Sequence, residues 1–363
     1  MSIRIGQYEI KHPLVQGGMG VGISWDKLAG SVSALGGLGT ISSVGTGYYD
    51  DCRYAKHLKD GRPLGAMSTY SKEGLREIFR KAREICGDAP LACNILHVIT
   101  DYKRVVLDAI EAGANIIVTG AGLPTDLAKI VKDFKDVAIV PIVSSGKALK
   151  VIARFWQREG RLPDAVIVEG PLSGGHQGVK AEELFNPEHS LEAILKDVIE
   201  ERDKWGDMPV IAAGGIWSKE DADRMFALGA DAVQMGTRFA LTYESDASDG
   251  FKEVLLSARE EDVKIVKSPV GYPARAVNTE LIRTLEPRPI DCKSNCIVPC
   301  NHGEGASQVG YCISDSLGDG VRGIKETGLF FCGHNVFKAE GLLHVREVFE
   351  SVLGPGVLEP SPA

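Results

Sequence analysis

Short apolar runs alternate with amphipathic stretches through the first 240 residues, and this beat narrows the possible folds more than any other feature of the chain. The runs cover residues 13–17, 38–43, 90–95, 115–120, 138–145, 165–170, 209–215 and 232–238. They are rich in Val, Ile and Ala and apolar on both faces, as buried parallel strands are. Between them, residues 26–35, 71–85, 101–112 and 218–228 carry the i, i+3/i+4 apolar spacing of helices. Ser71, Asp101 and Ser218 stand where N-caps are wanted, and Gly113 and Gly229 where a left-handed C-cap is wanted. Eight strands alternating with helices imply an α/β fold of the (β/α)8 TIM-barrel type. A doubly wound open sheet is the alternative. It does not account for glycine-rich turns after several strands rather than after the first alone.

Two segments break the beat. Residues 44–70 form an insertion after the second strand. Residues 262–363 lack the βα rhythm and hold a cluster of cysteines. The expected organisation is a barrel over residues 1–261 and a Cys-rich C-terminal extension over 262–363 that packs on the barrel. The tail LEPSPA is expected to fray.

Composition excludes several classes. Lys and Arg total 41 against 49 Asp and Glu, a net charge of −8. Such a balance argues against nucleic acid as partner, because phosphate binding needs a basic surface. No apolar run approaches the roughly 18 residues of a membrane span. The N-terminus MSIRIGQYEIKHPL lacks the apolar core of a signal peptide. A cytoplasmic enzyme acting on a small molecule is the expectation, and the apolar content of the extension allows a homodimer.

In a barrel the chemistry gathers at the C-terminal ends of the strands. Of the 42 glycines, fourteen fall at those ends. The first run ends in Gln16-Gly17-Gly18-Met19-Gly20 and the third in Asn94. The fifth ends in Ser144-Ser145-Gly146 and the sixth in Glu169-Gly170. The last two end in Gly214-Gly215 and Gly236-Thr237. Glycine turns after strands 7 and 8 let the backbone approach a phosphate and offer it free amides. His176 lies in the loop Gly174-Gly175-His176-Gln177-Gly178, whose glycines cannot pack an imidazole into a core. An imidazole beside a ligand exchanges protons near neutral pH. His97, shortly after the third run, is a weaker candidate for the mouth.

The motifs QGGMG (16–20), LGGLGTISS (35–43), CNI (93–95), SGGHQG (173–178), AAGGI (212–216) and QMGTRF (234–239), in this order, resemble the nitronate monooxygenase family. The resemblance runs from about residue 3 to 286 and includes SPVGYPARAV (268–277). It implies a TIM barrel holding FMN without a covalent bond. By motif, Gly18 and Met19 would line the flavin, and Asn94 would hydrogen-bond its ring edge. Ser145 and Glu169 would contact the flavin or its ribityl chain. Gly175 belongs to the loop over the flavin, and Gly214, Gly215, Gly236 and Thr237 would hold the phosphate. His176 matches the family's active-site histidine. The implied reaction is oxidation of alkyl nitronates with O2. The same motifs resemble flavin-dependent enoyl-ACP reductases and NAD(P)H:quinone reductases, so an NAD(P)H-dependent flavin reductase is the alternative. Two departures from the nitronate pattern bear on the substrate. The first turn is QGGMG rather than a QAPM type, and Gly170-Pro171-Leu172-Ser173 precedes the histidine loop where an acid-Ala pair is common.

Cys292, Cys296, Cys300, Cys312 and Cys332 lie close together in sequence. In a chain without a secretion signal, such density suggests Zn2+ or an iron–sulfur cluster more than disulfides. Cys292, Cys296, Cys300 and Cys312 are the candidate ligands. Their spacing is not a repeated CxxC, and free buried thiols are the other reading.

Overall fold

The computed structural model describes residues 2–48, 58–59, 62–63, 70–292 and 295–358. Most of the insertion over 44–70 therefore lies outside the described residues, as do Cys52 and residues 359–363 of the tail. Within the insertion, Leu58–Lys59 and Arg62–Pro63 form a small antiparallel pair.

Eight parallel strands form one sheet: β1 (Leu14–Gln16), β2 (Gly39–Ser42), β3 (Leu91–Leu96), β4 (Ile116–Gly120), β5 (Ala138–Val143), β6 (Val166–Glu169), β7 (Val210–Ala213) and β8 (Ala232–Met235). Their order is β1-β8-β7-β6-β5-β4-β3-β2, each neighbour parallel. A parallel bridge between Val15 and Leu38 joins the two ends. The sheet is thus a (β/α)8 barrel, and each of the eight apolar runs contributes one strand.

The helices follow local rules. They are α1 (Asp26–Ala34), α2 (Lys72–Cys86), α3 (Tyr102–Glu111), α4 (Leu127–Ile130), α5 (Gly146–Arg158), α6 (Leu191–Arg202) and α7 (Lys219–Ala227). The Ser71 hydroxyl accepts from the Gly74 amide at 3.0 Å. Ser218 and Asp221 form a reciprocal capping box at the start of α7. Asp101 precedes α3 without capping it; its carboxylate pairs with Arg104 at 2.6 Å instead. Gly113 and Gly229 have φ of +105° and +98°, the left-handed values expected after α3 and α7. A further helix, α8 (Val345–Leu353), comes from the far end of the chain. Its Val345, Val348, Phe349 and Val352 join the core shared by strands and helices. Among the described residues no helix is long and apolar enough to cross a membrane.

The barrel interior is a second core. Val15, Ala92, Ile116, Val118, Val140, Ile167 and Ile211 meet there, with Ile3, Ile5 and Ile10 of an N-terminal hairpin plugging one end. Beyond β8, β9 (Val263–Lys267) and β10 (Pro273–Val277) form an antiparallel pair.

The seam between β1 and β2 adds a side chain to its main-chain bonds, Gln16 N–H to the Leu38 carbonyl at 2.9 Å and Leu38 N–H to the Leu14 carbonyl at 3.0 Å. Gln16 is fully buried. Its Oε1 accepts from the Thr40 amide at 3.0 Å, and its Nε2 donates to the Thr40 carbonyl at 3.1 Å and to the Gly17 carbonyl. The primary amide thus extends the ladder to Thr40 as a peptide group would. Gln16→Leu keeps the volume but strands a buried N–H and C=O, at about 1–3 kcal/mol each. A loss of about 3 kcal/mol in urea unfolding is expected. A change under about 0.5 kcal/mol, the range of ordinary surface substitutions, would show that the seam does not need this side chain.

Candidate active site

Strand alternation decides which side chains enter the barrel mouth. On β6, Ile167 faces inward and Val166 and Val168 outward, which turns Glu169 inward at the strand's C-terminal end. On β3, Ala92 faces inward and Cys93 and Ile95 outward, which turns Asn94 inward. On β8, Ala232 and Val233 set the same alternation and turn Gln234 inward. Neither the Asn94 amide nor the Glu169 carboxyl has a hydrogen bond or ion pair with the described residues. Desolvation pushes Glu169 up to about 7, because burial penalises the carboxylate.

The glycine turns close over this layer. A Cβ on Gly18 would lie 2.3 Å from Asn94 Cβ, so the turn after β1 rests directly on Asn94. Met19 reaches across to the turn after β8, its Sδ 3.5 Å from where a Cβ on Gly236 would stand. Gly214 and Gly215 have φ of +100° and +82°. A Cβ on Gly214 would sit 2.8 Å from the Gly170 carbonyl oxygen, so the turns after β6 and β7 touch. The amides of Gly214, Gly215, Gly236 and Thr237 have no acceptor among the described residues. Orphaned amides on neighbouring glycine turns suit a phosphate. These residues fit the phosphate of a flavin nucleotide. Ser145 has another duty: its hydroxyl accepts from the Ala148 amide at 3.2 Å and caps α5.

His176 is held by parts of the chain that sequence reading did not assign to the site. Gly175 and His176 form a short strand antiparallel to β10, with Gly175 opposite Arg275 and His176 opposite Ala274. The imidazole Nε2 lies 2.7 Å from the Ser268 hydroxyl, and Phe331 meets the ring edge-on at 5.4 Å. Burial depresses the His176 pKa to about 4, so the ring is neutral at pH 7. Arg275, only 2% exposed, donates to the carbonyls of Ser173, at 2.8 Å, and Pro171. Gln177 Nε2 donates to the carbonyls of Ser173 and Gly175, both at 3.0 Å. The loop is thereby fixed from both sides. Gly333 and Asn335 extend the frame: the Gly333 amide donates to Thr237 Oγ1 at 2.7 Å, and Asn335 Nδ2 to the Gly215 carbonyl at 2.6 Å. The SPVGYPARAV stretch carried the signal for Ser268 and Arg275. No local pattern announced Phe331, Gly333 or Asn335.

His97 stands beside the turn after β4, but its Nε2 is engaged with Asp126 Oδ1 at 3.1 Å. A groove at the opposite end of the barrel, lined by Arg4, Asp164, Trp205 and Asp231, contains none of the predicted site residues.

The family model for nitronate monooxygenase matches residues 2–354. A (3aS,4S,5R,7aS)-5-hydroxy-7a-methyl-1-oxo-octahydro-1H-indene-4-carboxyl-CoA dehydrogenase of Rhodococcus jostii (strain RHA1) is 30% identical over 281 residues, covering 76% of this chain and 65% of that protein. A probable nitronate monooxygenase of Staphylococcus saprophyticus is 27% identical over 301 residues, covering 78% of this chain and 81% of the relative. The structure of FabK from Thermotoga maritima superimposes with a TM-score of 0.70 at 29% identity, covering 95% of this chain and 92% of that one. With the eight-stranded barrel and the glycine-lined mouth, these matches place the chain in the nitronate monooxygenase family of flavin-dependent oxidoreductases.

Proposed function

We propose that the chain binds FMN and oxidises alkyl nitronates with O2. The observation that carries this reading is a neutral, buried His176, fixed on Ser268, in the same barrel mouth as the unpartnered Asn94 and the orphaned amides of the glycine turns. FMN, when bound, supplies the redox chemistry. Gly214, Gly215, Gly236 and Thr237 would hold its phosphate through main-chain amides. Asn94 would hydrogen-bond the ring edge, with Gly18 and Met19 against it. Gly175 gives the loop its close approach, and Ser145, whose oxygen caps α5, keeps its hydroxyl proton to donate to the flavin or its ribityl chain.

A nitronate is an anion with charge on its nitro oxygens. The Ser268 oxygen accepts from the Val270 amide at 3.4 Å, and we assign its proton to the bond with His176 Nε2. His176 then carries its own proton on Nδ1 and donates it in a hydrogen bond to a nitronate oxygen. Glu169, pushed up to about 7 by burial, carries less negative charge against that anion than an ordinary carboxylate.

A second reading has its own support. The Rhodococcus relative is named for a carboxyl-CoA substrate. An NAD(P)H-dependent flavin reductase acting on an enoyl thioester or a quinone would use the same mouth. Anaerobic mixing separates the two. Flavin bleaching by propionate 3-nitronate alone supports nitronate oxidation. Bleaching by NADH or NADPH with inertness to nitronate sinks it. Protein purified without any bound flavin sinks both.

The phosphate turns yield their own test. Gly214→Ala forces a Cβ onto the Gly170 carbonyl at a φ that alanine resists, a strain of about 1–3 kcal/mol. Flavin affinity is expected to drop about tenfold or more. Fluorescence titration of the flavin-free protein measures it, and unchanged affinity would remove these turns from the site.

A further inference from the structure

The cysteine loop docks beside the barrel mouth. The Thr100 amide donates to the Cys296 carbonyl at 3.2 Å, and the Val298 amide to the Val98 carbonyl at 2.9 Å. Ile99 and Ile297 form a bridge between the same two segments. The anchoring residues directly follow β3, the strand that carries Asn94. This part of the chain is not used by the chemistry proposed above.

The fold gathers four half-buried thiols there: Cys292, Cys296, Cys300 and Cys312, none in a disulfide. A Cβ on Gly303 would lie 2.5 Å from Cys292 Cβ, so Cys292 packs on the turn that follows Cys300. The Cys300 amide donates to the Ile297 carbonyl at 3.2 Å, which folds the chain back just after Cys296. Cys296 Sγ lies 3.3 Å from the Ser314 hydroxyl, in the first turn of the Ile313–Val321 helix that Cys312 precedes. Cys296 thereby lies between the turn that carries Cys300 and the helix start that Cys312 precedes.

The backbone is bent around these thiols. Of four non-glycine residues with positive φ among the described residues, three are Asn295, Asn301 and His302, next to Cys296 and Cys300. Each such conformation costs about 1–3 kcal/mol and persists where the surroundings enforce it.

The spacing of the thiols selects the ligand. A single zinc draws four sulfurs to about 2.3 Å from one point. No three His, Cys, Asp or Glu side chains among the described residues converge in that way. A four-iron cluster gives each cysteine its own iron, and so accepts ligands that are neighbours without converging. The ligand spacing is three, three and eleven residues, a compact triplet with one distant cysteine.

We propose that Cys292, Cys296, Cys300 and Cys312 bind a [4Fe–4S] cluster at the rim of the barrel mouth, on the β3 side. The proposal does not depend on which substrate the flavin site takes. The test is iron, acid-labile sulfide, zinc and flavin analysis of the whole protein, purified without oxygen and reconstituted with ferrous iron and sulfide. About four irons and four sulfides per chain are expected. Dithionite reduction should give a low-temperature paramagnetic resonance signal distinct from any flavin radical. Cys296→Ser and Cys312→Ser should each lose most of the iron, while Cys86→Ser on α2 should keep it. Fewer than one iron per chain in the reconstituted wild-type protein overturns the proposal without reference to any variant. So does one zinc per chain, or full iron retention in both cluster variants. Flavin content, measured on the same samples, separates failure of the cluster from failure of the flavin reading.

Discussion

His176→Ala is expected to lower turnover about 10²- to 10³-fold, the range for loss of one hydrogen-bond donor to a reacting anion, while flavin stays bound. The histidine and the phosphate turns are separate parts of the mouth. The short strand that carries His176 is held through main-chain pairing with β10, which an alanine retains. The fold around it should therefore survive. A second substitution sharpens the role. His176→Asn offers an amide N–H in place of Nδ1–H, and should recover part of the lost activity if hydrogen-bond donation matters. Ser268→Ala removes the group that fixes the ring and should fall between wild type and His176→Ala. Turnover of His176→Ala within threefold of wild type would remove the histidine from the chemistry. The pH profile is a further check. With its pKa near 4, His176 stays neutral from pH 6 to 8, so its acid limb falls near pH 4 rather than near 6.5.

Glu169→Gln should stabilise the flavin-free protein at pH 8 by an amount on the order of 3 kcal/mol. The carboxyl has a folded pKa near 7 against an ordinary value of 4.5. The folded state therefore binds more protons than the unfolded state between those values. Stability is fully present below about pH 4.5 and is lost as the pH rises through 7. Glutamine cannot ionise, so that slope should vanish in the variant. Denaturant unfolding at pH 5 and pH 8 measures it. Equal slopes in both proteins would show that Glu169 is better solvated than its place in the barrel implies. His176 acts in the opposite sense. Its folded pKa lies below 6.5, so its contribution is lost as the pH falls from 6.5 through 4.

The site was legible in part. Glycine turns, Asn94, Glu169 and His176 stand at the ends of strands, and an apolar run followed by a glycine can be seen in one dimension. Their meeting in one mouth follows once the strands are parallel and the barrel closes. Ser145 shows that one hydroxyl can serve two ends: it accepts from the first turn of α5, a local role, and keeps its proton to donate elsewhere. Asp101 shows the limit of cap reading, since a nearby Arg104 competes for the same carboxylate. Ser268 and Phe331 could not be assigned from spacing, because β10 and the return of the chain after residue 328 bring them to His176.

The sequence by itself determined the eight strands, most of the helix caps and the ring of glycine turns. These depend on alternation, on hydroxyls placed three residues before an amide, and on left-handed backbone, all of them local. Only the tertiary structure decided that β10 would lock the histidine loop, that Gln16 would close the seam, and that α8 would return from the far end of the chain to cover the barrel. It also decided that the cysteine segment would dock beside the residues that follow β3. Each of these depends on pairings between distant segments, and a pattern of neighbours along the chain holds no record of which distant segment will come to lie alongside.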